Sequence, residues 1–194
     1  MNICVFGSSS EQIEKKYLDS AQSLGAAIAA RGWGLIFGAG KYGVMGAVAR
    51  GAAEKNGVII GVSPGFFQEL NVLRYDCTEL IFTETMRERK GVMEDRADAF
   101  VICPGGIGTF EEFFEVITLK QLEQHSKPII IYNVGGYYNP MLEMMDISVK
   151  QDFMSHDVTK LYEVVDTENE VLEHIENYVP FSYNKYKKAE DKNG

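Results

Sequence analysis

The sequence predicts a doubly wound α/β fold: a mostly parallel sheet of about seven strands with helices on both faces. Three observations carry this expectation. Runs such as Asn2–Phe6, Val58–Val62 and Ile129–Tyr132 are short, apolar and without polar alternation, which is how strands covered on both faces read. Segments of helical period separate them, and an alternation repeated about seven times argues for right-handed crossovers and a parallel sheet. Two glycine loops each follow a strand and precede a helix, at the strand C-termini where sheets of this Rossmann-like kind bind ligands.

The chain of 194 residues suits one α/β domain over 1–180, followed by a polar, lysine-rich tail over 181–194. A net charge of −9 leaves no basic stripe for a nucleic-acid backbone. A mononucleotide needs only local positive potential. Met1–Phe6 runs straight into a strand without a basic leader, and no apolar run approaches ~18 residues. Cys4, Cys77 and Cys103 are odd in number and read as buried thiols in a reducing compartment. The expectation is a cytoplasmic protein without a membrane partner.

In order along the chain, Asn2–Phe6 is a strand ending in Gly7-Ser8-Ser9-Ser10, small polar residues suited to a ligand-facing loop or to capping the next helix. Tyr17, Leu18, Ala21, Leu24, Gly25 and Ile28 recur at helical spacing through Arg31, and Gly32 ends that helix. Trp33–Phe37 is a second strand. It leads into Gly38-Ala39-Gly40-Lys41-Tyr42-Gly43, which fits G-x-G-x-x-G. The dinucleotide reading fails because the motif follows the second strand and because the next strand, Val58–Val62, ends in Ser63-Pro64 with no acidic residue for a ribose diol. Tyr42 after Lys41 also excludes a Walker A loop. What remains is a glycine loop that a ligand approaches closely, followed by a small-residue helix over Ala47–Lys55. In the irregular Pro64–Asp76 stretch, Phe66 and Phe67 are expected to pack inward more than to line a ligand. Leu80–Thr83 is a strand, and Thr85-x-x-Glu88 reads as a capping box. Met86, Arg89, Lys90 and Met93 share a face of the helix that follows; taken alone, its Arg87–Lys90 run is a solvated charged surface.

The centre of the chain is Ala97–Glu115. Ala99–Cys103 is a buried strand, Pro104-Gly105-Gly106 breaks it, and Phe110, Phe113, Phe114, Ile117 and Leu122 mark the apolar stripe of a helix. A glycine loop at a helix N-terminus leaves unpaired N–H groups aimed at one spot, a site for an anion and most often a phosphate. Thr109 adds a hydroxyl. Glu112 sits one turn in, too close to that anion for charge complementarity, so its carboxylate suggests chemistry beside the phosphate. The plain alternative is a tight turn with a solvated Glu-Glu pair. Beyond it, His125 suits a helix-end cap more than catalysis. Ile129–Tyr132 is a strand, Asn139-Pro140 opens a Met-rich helix, and Tyr162–Val165 and Glu168–Tyr178 close the pattern.

Pro104–Glu112, PGGIGTFEE, resembles the PGGxGTxxE signature of the Lonely Guy (LOG) family at every fixed position. Members of that family are phosphoribohydrolases of nucleoside 5′-monophosphates, acting on cytokinin ribosides and AMP. Gly38–Gly46 is similar to the family's GGGxxGLMG, with Ala39 and Val44 as departures. Met86, Arg89 and Lys90 match its Met-x-x-Arg-Lys segment. Lys120–Pro128 resembles QLGxHxKP with Glu123 in place of Gly, and Asn133–Tyr138 resembles N-x-x-GYY. The resemblance spans roughly 2–178. It implies that the family's essential arginine falls on Arg89; together with the loops read above, catalysis is expected from Arg89 and Glu112 and substrate contacts from Ser8, Gly40, Gly43, Met86, Arg89, Lys90, Gly105, Gly106, Gly108, Thr109 and Glu112. It also implies a homodimer.

The expected reaction is hydrolysis of the N-glycosidic bond of a purine (AMP or cytokinin) riboside 5′-monophosphate, giving free base and ribose 5-phosphate. Cleavage builds positive charge at the anomeric carbon, which a fixed Glu112 stabilises while also able to activate water. Arg89 orients the substrate through its phosphate or through Glu112. No residue stands out as the acid for the leaving base. No cofactor or metal is expected. The rival reading is a nucleotide-binding or carrier protein of the same fold without chemistry; Arg89 and Glu112 argue against it, since a binder needs no carboxylate there. A third, lysine decarboxylase, is a label this family has carried, but no segment supplies a persuasive pyridoxal-binding lysine.

Overall fold

The computed structural model describes residues 1–181; of the polar tail expected at 181–194, all but the first residue lies outside them. Among the described residues seven strands form one sheet: β1 (Asn2–Phe6), β2 (Gly34–Phe37), β3 (Ile59–Pro64), β4 (Glu79–Thr83), β5 (Ala99–Ile102), β6 (Ile129–Tyr132) and β7 (Glu163–Val165). Their order is β4-β3-β2-β1-β5-β6-β7, every neighbouring pair parallel. The helices are α1 (Lys15–Ala30), α2 (Gly43–Glu54), α3 (Met86–Arg96), α4 (Ile107–Gln121), α5 (Asn139–Lys150) and α6 (Glu168–Glu176). No helix of the described residues is long and apolar enough to cross a membrane.

Side-chain alternation along the strands divides the core into two layers. Ile3, Val5, Leu35 and Phe37 meet α1, α2 and α6 on one face; Cys4, Phe6, Ile36 and Val62 meet α3, α4 and α5 on the other. Both faces are covered, so β1, β2, β5 and β6 are buried at nearly every position. Cys4 and Cys103 are buried and free, and burial pushes the Cys103 thiol up to about 12. The α1–α2 contact is made backbone to backbone. A Cβ on Gly51 would stand 1.8 Å from the Gln22 carbonyl oxygen, and one on Gly25 would stand 1.9 Å from that of Val48.

Three local expectations change in the folded chain. The buried stripe of α4 runs Thr109, Glu112, Phe113, Val116, Ile117 and Lys120; Phe114 and Leu122, expected inside, face solvent. The stripe therefore carries two charged groups that a purely apolar reading passes over. Thr85 caps α3 by accepting the Glu88 N–H at 3.1 Å, but the Glu88 carboxylate accepts from Glu84 N–H, one residue before the cap. Phe66 is exposed and Phe67 turns to a cavity wall, where both were expected to pack inward. Ala39, where the resembled motif has Gly, still adopts φ 57° and is fully buried; this left-handed angle costs an alanine about 1–2 kcal/mol.

His125 acts within the fold, as expected. Its Nδ1 accepts the Lys127 N–H at 3.2 Å, so Nε2 carries the hydrogen that goes to the Val116 carbonyl at 2.8 Å. Burial lowers its pKa and keeps the ring neutral.

Candidate active site

The order of strands reverses between β1 and β5, and sheets of this kind bind ligands at such a point. The loops after β1 and β5 meet there: Ser8 N–H donates to Pro104 C=O at 3.1 Å, and the Ser8 carbonyl accepts Met45 N–H from α2 at 3.2 Å. The loop after β2 closes a third side. Its outer edge is tied to the 65–74 segment by Lys41 N–H to Val72 C=O at 2.9 Å and Arg74 N–H to Ala39 C=O at 2.8 Å.

These loops enclose a cavity of about 510 Å³. Of the residues expected to touch a ligand, Ser8, Gly40, Met86, Arg89, Gly106, Gly108, Thr109 and Glu112 line it. Gly43, Lys90 and Gly105 do not. Gly43 sits at φ 60° against the backbone of Ser8–Ser10, where any Cβ would stand within 2.7 Å of it. Gly105 leaves room for the Thr109 hydroxyl, since its Cβ would be 2.1 Å from Thr109 Oγ1. Lys90 points away and pairs with Glu111 and Glu115.

The N-terminus of α4 forms one wall. Gly106 is its N-cap, no side chain caps it, and its first turn holds no acidic residue. Its first N–H groups therefore lack intrahelical partners and carry the positive end of the helix dipole. At Gly106 and Gly108 nothing lies within 4 Å of where a Cβ would stand. These two glycines are not required by packing; they keep space open above the helix terminus.

The same cavity is lined by a buried ion pair. Arg89 Nη1 donates to Glu112 Oε1 at 2.9 Å, with the residues only 6% and 8% exposed. A second donor, Arg89 Nε, reaches the Val62 carbonyl at 3.2 Å. The guanidinium lies directly over Gly38, whose Cβ would stand 2.1 Å from Nη2. Burial raises the Glu112 pKa, and Arg89 opposes that rise through its charge and hydrogen bond. The helices thus join through an inner pair, Arg89–Glu112, and an outer set, Lys90 with Glu111 and Glu115. A single step along each helix separates the two.

Ser9 and Ser10 add polar groups, and much of the remaining wall is apolar: Met45, Phe67, Val72 and Leu73, with Tyr42 beside them. Sequence reasoning did not single out Met45, Val72, Leu73 or Gly38 for the site. Met45 carried a signal in its place within the second glycine loop; Val72 and Leu73 carried none, lying in an irregular stretch without period.

The family described as "possible lysine decarboxylase" matches residues 45–175. The chain is 37% identical over 178 residues to a probable cytokinin riboside 5′-monophosphate phosphoribohydrolase of Oryza sativa subsp. japonica, covering 92% of this chain and 71% of that one. It is 36% identical to the cytokinin riboside 5′-monophosphate phosphoribohydrolase LOG of the same organism, over 92% of this chain and 74% of the other. Among solved structures it is similar to the molybdenum cofactor carrier protein of Chlamydomonas reinhardtii, at 23% identity and a TM-score of 0.69, over 90% of this chain and 95% of that chain. At that identity the structural likeness carries the fold alone.

Proposed function

Because the chain belongs to the Lonely Guy (LOG) family of cytokinin riboside 5′-monophosphate phosphoribohydrolases, we propose that it is a hydrolase of purine (AMP or cytokinin) riboside 5′-monophosphates, releasing free base and ribose 5-phosphate. The observation that carries this reading is the buried Arg89–Glu112 pair lining the same cavity as the open, uncapped N-terminus of α4. The phosphate sits at that terminus, held by the N–H groups of the first turn with Thr109 beside them. The purine lies along Met45, Phe67, Val72 and Leu73, which suit an aromatic face.

This arrangement leaves the anomeric carbon near Glu112. As the glycosidic bond breaks, positive charge grows on that carbon and the ring oxygen, and the carboxylate stabilises it. Burial makes Glu112 a stronger base than a solvated carboxylate, so it also takes the proton of the attacking water. Arg89 holds the carboxylate in place and keeps it ionised in a site where burial favours the neutral form.

The carrier reading rests on the shared fold, and fold does not fix function. A pyridoxal-dependent decarboxylase needs a lysine to hold its cofactor as a Schiff base, and the described cavity wall contains none. Incubation with AMP and with isopentenyladenosine monophosphate, followed by chromatography, tests the proposal: free base is expected, and tight AMP binding without released adenine would favour the carrier.

A further inference from the structure

The loop after β6 reaches back over the Pro104–Gly106 turn and contacts it through two tyrosines. Gly135 and Gly136 have φ of 62° and 73°, which reverses the chain. Asn133 locks the reversal by accepting Tyr138 N–H at 2.7 Å and donating to Asn139 Oδ1 at 2.9 Å. Tyr138 Oη then donates to the Cys103 carbonyl, and Tyr137 Oη to the Gly105 carbonyl, each at 2.7 Å.

Every carbonyl of this turn has a partner. Cys103 C=O takes Tyr138 Oη, Pro104 C=O takes Ser8 N–H, Gly105 C=O takes Tyr137 Oη, and Gly106 C=O takes Phe110 N–H inside α4. In a planar trans peptide the C=O and the following N–H point in opposite directions. Fixing the Gly105 carbonyl therefore fixes the Gly106 N–H, which points the opposite way within the same plane. Gly106 itself lines the cavity and has open space before it. Glycine on both sides of this peptide would otherwise leave the plane free to turn.

We propose that Tyr137 is a positioning residue for the phosphate site: by holding the Gly105 carbonyl it aims the Gly106 N–H at the 5′-phosphate of the substrate. The inference rests on the phosphoribohydrolase reading above. Tyr137 touches no substrate atom; it acts through the peptide plane. Its ring stands edge-on to Tyr17 of α1 at 5.7 Å and to Tyr138 at 5.0 Å, so the ring stays packed when the hydroxyl is removed.

The test is Tyr137→Phe. Ribose 5-phosphate, the phosphate-bearing product, should bind ~5- to 30-fold more weakly by calorimetry, the worth of one misaligned hydrogen bond to an anion. KM for AMP should rise in parallel with kcat changed far less, and the residual rate on adenosine should stay the same. In ¹⁵N spectra the Gly106 amide should shift on adding ribose 5-phosphate to the unmutated protein and shift less in the variant. Tyr17→Leu removes the packing partner and keeps the hydroxyl, so its ribose 5-phosphate affinity should remain close to that of the unmutated protein. Unchanged ribose 5-phosphate affinity in Y137F would overturn the inference, as would an equal loss in Y17L and Y137F, or a fall in kcat alone on AMP and adenosine alike. If the unmutated protein neither hydrolyses AMP nor binds ribose 5-phosphate, the phosphoribohydrolase reading fails first and the inference with it.

Discussion

Glu111 and Glu112 are neighbours in the chain and opposites in environment. Glu111 is exposed and pairs with Lys90 on the outside of α4, while Glu112 is buried against Arg89. Glu112→Gln keeps the shape and the hydrogen bond but removes the charge, so turnover should fall ~10²–10⁴-fold, the range for a positioned acid–base group. AMP affinity should hold or improve, since a carboxylate beside a phosphate repels it. Glu111→Gln gives up only a surface pair worth ~0–1 kcal/mol and should remain near full activity; equal losses in the two variants would sink the assignment. The pH profile follows from the same burial. Glu112 works ionised and its pKa is raised above 4.5, so the rate should fall as pH drops through that raised value. An acid limb of kcat/KM at or below the ordinary carboxylate range would contradict a desolvated base. Gly38 offers an independent probe of Arg89. A Cβ there displaces a guanidinium pinned by Val62 and Glu112. Gly38→Ala should cost on the order of 10²-fold in kcat, the scale of a 1 Å misplacement, with little change in thermal midpoint.

At the scale of elements, α4 serves as both anchor and lever. Its uncapped N-terminus faces the cavity, and its buried face places Glu112 one turn further in. Removing the phosphate removes the anchor, so adenosine should be hydrolysed far more slowly than AMP; comparable kcat/KM for the two would remove the phosphate site from the terminus of α4. The α1–α2 contact makes a different demand. Gly51 packs against the carbonyl of Gln22 with no room for a methyl group. Gly51→Ala should destabilise the fold by about 1–3 kcal/mol, the usual cost of overpacking. Chemical denaturation reads that directly, and an unchanged midpoint would mean the helices part without cost.

At the scale of the molecule, the helices on the α3–α4–α5 face leave apolar side chains uncovered. Phe114 and Leu122 stand out of α4 and its end, and Met144 and Ile147 out of α5; Met144 is 62% exposed. We propose that a second copy of the chain covers them, because single exposed apolar residues are ordinary but several on one side of the sheet mark an interface. Light scattering at micromolar concentration should give at least twice 21.7 kDa; a monomer would contradict it.

The sequence by itself determined the strands, the helices between them and both glycine loops, because period, turn residues and helix punctuation are properties of a few neighbouring positions. It also marked Arg89 and Glu112, through a resemblance that matched them one by one. Other features were decided only when distant segments packed. Strand order set β5 beside β1 and brought their loops together. That packing turned Arg89 inward to a carboxylate 23 residues away and left Lys90 outside. Val72 and Leu73 became a cavity wall through an antiparallel bridge, and Tyr137 came to hold a carbonyl 32 residues earlier. Such pairings depend on which faces of the whole sheet each helix covers, and no local pattern of residues encodes that choice.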